Sequence, residues 1–285
     1  MSVTVVVVVL VAAVLHATWN ALAHATDDTL AGFVLLNLGS LACALPLVLL
    51  APPPDPAAWP YIAASVVLQS AYQACLLQAY RLGEFGQVYP LARGTSPWVV
   101  AVLSATVLGH PLPPAQWAGV LTLSLGLVVL TLAHGVPGRG HLPALAAAFA
   151  TGLLIAAYTV VDGTGVRHAD TVLGYIGWEF LLQSLPIPLH ALARHRRALP
   201  PRLRAAGGRA VAGGALSALA YGLVIWAQNR EPANLPAIAA LRETSIVLAA
   251  VIGTVVFHER FGRVRLVAAG LVVAGIVLLE LVGRS

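Results

Sequence analysis

At about 20 residues per bilayer crossing, the chain divides into ten largely apolar segments: roughly 3–25, 29–50, 58–80, 85–108, 112–133, 141–161, 171–192, 208–229, 234–257 and 263–282. Turn-forming stretches separate them, including Thr26-Asp27-Asp28, Pro52 to Pro56, Gly109-His110-Pro111 and Gly135 to Gly140. Hydrocarbon offers no partner to a free backbone N–H or C=O, so such segments must satisfy themselves as helices. Composition points the same way. With 59% hydrophobic and 9% charged residues and a mean hydropathy of +0.86, a soluble domain of 285 residues is excluded. The expected fold class is an all-α integral membrane protein with ten transmembrane helices.

The segments repeat. Arg93-Gly94-Thr95-Ser96 returns as Arg242-Glu243-Thr244-Ser245, an offset of 242 − 93 = 149, and the same offset pairs Tyr72 with Tyr221, Arg81 with Arg230 and Gly126 with Gly275. At an offset of 142, Gly32 matches Gly174, Phe33 matches Tyr175, Asn37 matches Glu179 and Pro46 matches Pro188. Loops of unequal length account for the change of register. The expected organisation is two five-helix repeats, residues 1–134 and 135–285. Five is odd, so the second copy enters the bilayer from the opposite side and the repeats are inverted.

Sixteen arginines and no lysine give the formal charge of +5, and six of the arginines lie between Arg194 and Arg209, a stretch read as a polar loop. That cluster signals topology and contact with lipid headgroups, and nucleic acid is not an implied partner. The side it marks also carries Arg81, Arg139, Arg260, Arg263 and Arg265, which places both termini outside. The run Val3 to Val14 lacks the positive flank of a signal peptide and reads as the first span. Cys43 and Cys75 have neither disulfide nor metal-site spacing and read as packing residues, and no phosphate-cradling glycine motif is present. No cofactor or metal is implied.

These residues resemble the EamA-type branch of the drug/metabolite transporter superfamily. The resemblance rests on His16-Ala17-Thr18-Trp19-Asn20, on Val102 to Leu130, and on Ile246 to Leu279 with its Phe257-His258-Glu259-Arg260 turn. It implies alternating access around a mid-membrane cavity lined mainly by the first, third, fourth, sixth, eighth and ninth spans. It implies no single substrate. The first half departs from the family pattern, with Gly109-His110 where a Gly-Glu turn is common, whereas Glu259 keeps the carboxylate in the second half.

Arg93 stands about eight residues into its segment, roughly 12 Å along a helix at about 1.5 Å per residue. Arg242 has the equivalent depth. Paired guanidinium groups on one cavity favour an anionic or zwitterionic substrate; the alternative is that Arg242 neutralises Glu243 or Glu179 and that Arg93 bonds backbone carbonyls. His16 and Asn20 share a helical face with Trp19 beside them, offering a titratable group, an amide and an aromatic wall; an interhelical hydrogen-bond pair is the alternative. Tyr72, Gln73, Gln78, Tyr158, Tyr221 and Trp226 add aromatic and amide surface. Glu179, deep in its segment, is a possible proton or ion-pair site, while Asp162 and Glu280 near segment ends read as hydrated. Matched prolines, Pro90 with Pro236 and Pro46 with Pro188, are expected to bend their helices.

The substrate-binding set expected from sequence is therefore His16, Trp19, Asn20, Tyr72, Arg93, Tyr158, Tyr221 and Arg242, with no catalytic residues. The expected function is secondary transport of a small polar metabolite such as an amino acid by a multi-pass protein of the cell membrane. Its implied partners are that metabolite and the lipid bilayer. A lipid flippase on the same fold is the first alternative and an intramembrane enzyme the second.

Overall fold

Each of the ten expected segments contains helix. The computed structural model describes residues 1–24, 28–132, 138–206, 208–248 and 263–282, and no strand occurs among them. The α-helices are α1 (Val3–His24), α2 (Thr29–Leu50), α3 (Trp59–Leu82), α4 (Phe85–Thr106), α5 (Pro114–Leu132), α6 (Leu142–Gly165), α7 (Val172–Gln183), α8 (Pro186–His195), α9 (Leu199–Ala206), α10 (Arg209–Arg230), α11 (Leu235–Arg242) and α12 (Arg263–Val282). Side chains set several boundaries. Asp28 caps α2 by accepting from Ala31 N at 3.1 Å, and Thr171 caps α7 by accepting from Gly174 N at 3.2 Å. After α4, Gly109 adopts φ +68°, a left-handed conformation that costs glycine nothing, and the next residue, His110, donates its backbone N–H to Ser104 O at 3.0 Å.

Three expectations change. Segment 171–192 is two helices, because Pro186 has no N–H to give and its ring clashes with the carbonyl four residues back; it starts α8 in the first turn, where proline is tolerated. Its counterpart α2 stays continuous, with Ala44 at the position of Pro186, and the matched prolines Pro46 and Pro188 both lie inside helices. The segment from 234 is also interrupted: α11 stops at Arg242, Glu243 forms a turn, and helix resumes over 244–248. Finally, the arginine-rich stretch is not all loop. Within it α9 buries Leu199 against Leu30, Val34 and Ala191, and Arg202 grips Asp28 in bidentate fashion, Nε to Oδ2 at 2.5 Å and Nη2 to Oδ1 at 2.8 Å.

The molecule is apolar outside and polar inside. Leu49, Leu50, Val67 and Leu219 are exposed, while Asn37, Gln69, Gln73, Asp162, Glu179, Gln228 and Glu243 are buried. That is the reverse of a water-soluble protein and the arrangement a bilayer solvates. Among the described residues, five helical stretches are long and apolar enough to cross a membrane: Thr29–Leu50, Pro56–Leu82, Pro114–Leu132, Leu142–His168 and Arg209–Arg230. Without a hydrophobic drive between helices in lipid, close approach at small residues holds them together. A Cβ at Gly39 or Gly214 would run into the backbone of the facing helix, which fastens α2 to α10. On α5 and α12, a Cβ at Gly126 would come within 2.9 Å of Ala268 O, and one at Gly275 within 2.7 Å of Gly119 O.

Contacts between connecting segments bring helix ends together in pairs. Asp28 meets Arg202, and a Cβ at Gly83 would lie 2.7 Å from Ala144 Cβ. At other ends, Asp55 N donates to Ala169 O at 3.3 Å, and Ser2 N donates to Glu231 Oε1 at 2.7 Å.

Candidate functional site

Between the helices lies a cavity of about 260 Å³. Its wall includes His16 and Trp19 from α1, Tyr72 from α3, Arg93 from α4, Tyr158 from α6, Tyr221 from α10 and Arg242 from α11. Seven of the eight substrate-site residues expected from sequence therefore converge on one space. The side chain of the eighth, Asn20, lies outside the described residues, as do those of Glu259 and Glu280. Gln78 is exposed on the other face of α3, and Trp226 lies off the cavity under Arg230, whose Cζ is 5.3 Å from its ring centroid.

One wall is cationic. Arg93 and Arg242 are 4% and 2% exposed, and both lean on the carboxylate of Glu243: Arg93 Nε stands 2.7 Å from Oε2 and Arg242 Nε 3.6 Å from Oε1. These are ion pairs, and neither Nε nor Nη2 of either arginine has a hydrogen-bond partner among the described residues. The break after α11 puts the carboxylate there. Around it the backbone switches to bonds spanning three residues, Glu243 N to Ala240 O and Ile246 N to Glu243 O, both 3.0 Å. Two guanidinium groups against one carboxylate leave a net charge of +1 where water is scarce. Arg93 thus meets a carboxylate from the other half, not the backbone carbonyls considered from sequence.

The aromatic wall is built around Tyr158. Its ring packs edge-on against Tyr72 at 5.6 Å and against Tyr221 at 5.5 Å, so repeat-matched tyrosines flank it on both sides. Arg242 Cζ sits 6.0 Å from the Tyr221 ring centroid, within cation–π range. At the α1 edge Trp19 Nε1 donates to His16 Nδ1 at 3.1 Å, which leaves the imidazole proton on Nε2.

The opposite wall is made of amides and comes largely from α2, α3 and α7, although the resemblance placed the second and seventh spans away from the cavity. Asn37 Nδ2 donates to Gln73 Oε1 at 2.8 Å and Gln73 Nε2 to Gln183 Oε1 at 3.1 Å. One turn along, Gln69 Nε2 donates to Glu179 Oε1. Gln69 and Gln73 on α3 therefore face Glu179 and Gln183 on α7, four residues apart on each helix, so the two run parallel where they meet. Gly177 permits the approach of α2, since a Cβ there would lie 2.9 Å from Leu47 Cβ. Asn37, Gln69, Gln183 and Ser217 had not been singled out as cavity residues. For Gln69 and Gln183 the readable signal is the i, i+4 spacing of polar residues on α3 and α7; Asn37 and Ser217 carry no such signal.

Behind the amide wall, Glu179 does not reach the cavity and makes no ion pair with an arginine among the described residues. Asp162, expected to be hydrated, is fully buried. It sits at the end of α6 under the tyrosines, accepting from Tyr175 OH at 3.0 Å and Tyr221 OH at 2.7 Å.

A buried, charged cavity at the centre of an apolar-surfaced helical protein is what a carrier of polar solutes requires. Residues 142–281 match the model of the EamA-like transporter family. Over that span, just under half of the chain, the sequence is similar to that family. A solved crystal structure of a protein shares its fold with a TM-score of 0.74 at 19% identity, covering 99% of each chain. That likeness carries the fold into the first half, which the family match leaves out. No curated protein matches the sequence. This EamA-like protein is thus a membrane protein of transporter type, and its cavity joins residues of both halves.

Proposed function

We propose that this EamA-like protein is a secondary transporter in the cell membrane that moves a small anionic or zwitterionic metabolite, such as an amino acid, by alternating access. Its architecture is ten spans in two inverted five-helix repeats, residues 1–134 and 135–285. The loop contacts support it, because strict alternation of ten spans puts the partners of all four contacts on a common side: Asp28 with Arg202, Gly83 with Ala144, Asp55 with Ala169 and Ser2 with Glu231. The antiparallel packing of α5 on α12, with Gly119 against Leu279 and Gly126 against Ala268, agrees as well. The cavity reaches Thr29, the first residue of α2, on the arginine-rich side. The charge bias makes that side cytoplasmic.

The observation that carries the substrate class is the uncompensated charge: two buried guanidinium groups that share Glu243 both belong to residues lining the cavity. A ligand carboxylate completes the set with charge-assisted hydrogen bonds, and the tyrosines and amides receive the rest of a small polar molecule. A cavity of about 260 Å³ suits a solute of amino-acid size and is small for a lipid, which favours the carrier over the flippase. The test is an uptake and efflux screen in proteoliposomes, comparing wild type with Arg93→Ala and Arg242→Ala. Selective movement of carboxylate-bearing solutes, weakened in both variants, is expected. Normal transport by both variants sinks the paired-arginine reading, and movement of lipid without solute puts the flippase in its place.

A further inference from the structure

The buried acids behind the amide wall are unused by the substrate reading, and we propose that Asp162 and Glu179 together form a proton-binding site that couples a proton to occupancy of the cavity. Coupling rests on the transporter reading; the proton site itself does not. Both carboxyl groups are fully buried, and no arginine lies within ion-pair distance of either among the described residues. A single amide joins them, Gln69 Nε2, which donates to Glu179 Oε1 and stands 3.5 Å from Asp162 Oδ2. Two carboxylates brought this close without a cation cannot both stay ionised in a dry site.

The hydrogen bonds divide the roles. Asp162 accepts from two phenol hydroxyls, the environment of an anion. Glu179 has Gln69 on Oε1 and nothing on Oε2, a buried oxygen with no partner among the described residues. That oxygen is where the proton resides. A metal ion fits poorly, because the tyrosines and Gln69 point hydrogens at the pair where a metal needs lone pairs, and no third His, Cys, Asp or Glu completes a ligand group among the described residues.

Among the described residues, the surroundings add no competing base beside the pair. From the helices packed around it come Tyr175 on α7 and Tyr158 on α6, Tyr221 on α10, Tyr61 and Tyr72 on α3, and Cys43 on α2. His168 stacks on Tyr61 at 5.0 Å, held through Nδ1 by Thr164 O at 3.0 Å. Arg242 is the permanent positive charge reached through Tyr221.

Tyr221 and Gln69 transmit occupancy, since each lines the cavity and holds the pair. Asp162 lies at the end of α6 away from the arginine-rich face. Losing the Glu179 proton leaves two anions competing for the same donors, which pulls Tyr221 toward Asp162 and away from a ligand beside Arg242.

Infrared difference spectroscopy of the full chain in liposomes, recorded across a pH series, reads this proton without a substrate. The expected result is a carboxylic-acid carbonyl band at neutral pH that disappears in Glu179→Gln, is unaffected by sodium, and moves to lower frequency in wild-type protein carrying ¹³C-glutamate. The isotope arm stands even if the variant fails to fold. Absence of the band, its survival in Glu179→Gln without an isotope shift, or its replacement on adding sodium overturns the proposal. Coupling is read from uptake of a radiolabelled amino-acid mixture. At one proton per solute, a one-unit pH gradient supports about ten-fold accumulation, the equivalent of about 1.4 kcal/mol. A protonophore should abolish this in wild type and change nothing in Glu179→Gln. Protonophore-sensitive accumulation by the variant overturns the coupling. No uptake of any amino acid by wild type overturns the substrate reading and leaves the infrared result standing.

Discussion

Helix α4 runs unbroken through Arg93-Gly94-Thr95-Ser96, whereas the matching stretch of the second half stops at Arg242, turns at Glu243 and resumes as helix at 244. Thr95 Oγ1 bonds Leu91 O, four residues back; Thr244 Oγ1 bonds Leu241 O, three back. The single dissimilar position explains much of the contrast. Gly94 lies against α5, where a Cβ would come within 2.8 Å of Leu127 Cβ, so that copy is closed by packing. Glu243 instead carries the carboxylate that one arginine from each half shares. The two matched segments thus supply two equivalent arginines, and one dissimilar residue gives them a shared carboxylate with a charge to spare.

The largest effect should follow loss of the shared carboxylate. Glu243→Gln leaves two buried guanidinium groups facing each other, and about 3–5 kcal/mol of stability should disappear, read as a lower melting temperature in detergent. Adding Arg93→Met to that variant should restore part of the loss; a further fall breaks the idea that charge balance sets the cost. Next come the arginines themselves. Arg93→Ala or Arg242→Ala removes a charged hydrogen bond to an anionic ligand worth about 1.5–3 kcal/mol, and binding measured by calorimetry should weaken accordingly. Arg93, 2.7 Å from Glu243, should also cost more stability than Arg242 at 3.6 Å.

Gly94→Ala tests the packing half of the comparison. Forcing a methyl against Leu127 should destabilise by about 1–3 kcal/mol, and Leu127→Ala in the same chain should relieve part of it. The smallest effect belongs to a wet ion pair that calibrates the dry one. A hydrogen bond from Arg202 holds Asp28 below the usual carboxylate range. That pair therefore stabilises the protein above the range, and its contribution fades as pH falls through the lowered value. Asp28→Asn should flatten this acid-side dependence in a melting series; an unchanged profile removes the α2–α9 clamp from the account.

How legible the site was depends on the kind of signal each residue carried. Arg93, Arg242, Tyr72 and Tyr221 could be found because a charge or a phenol repeated at one offset inside apolar segments stands out against its surroundings. Gln69, Gln183 and Asn37 went unassigned because a single amide in an apolar run looks the same whether it lines a cavity or bonds a neighbouring helix. Asp162 reads as hydrated in sequence because nearness to a helix end resembles exposure along a one-dimensional chain. In space, α3, α7 and α10 close over it.

By itself the sequence determined the solvent, the helical class and the chemistry of the cationic wall, since each depends on residue type and spacing along the chain. Tertiary structure alone decided that one carboxylate serves both arginines, that helices break at Pro186 and Glu243 where the matching Ala44 and Gly94 leave them continuous, and that Gln69 joins Asp162 and Glu179 with no arginine within ion-pair distance among the described residues. These are matters of which surfaces face each other across helices far apart in sequence, and periodicity within a helix carries no record of that.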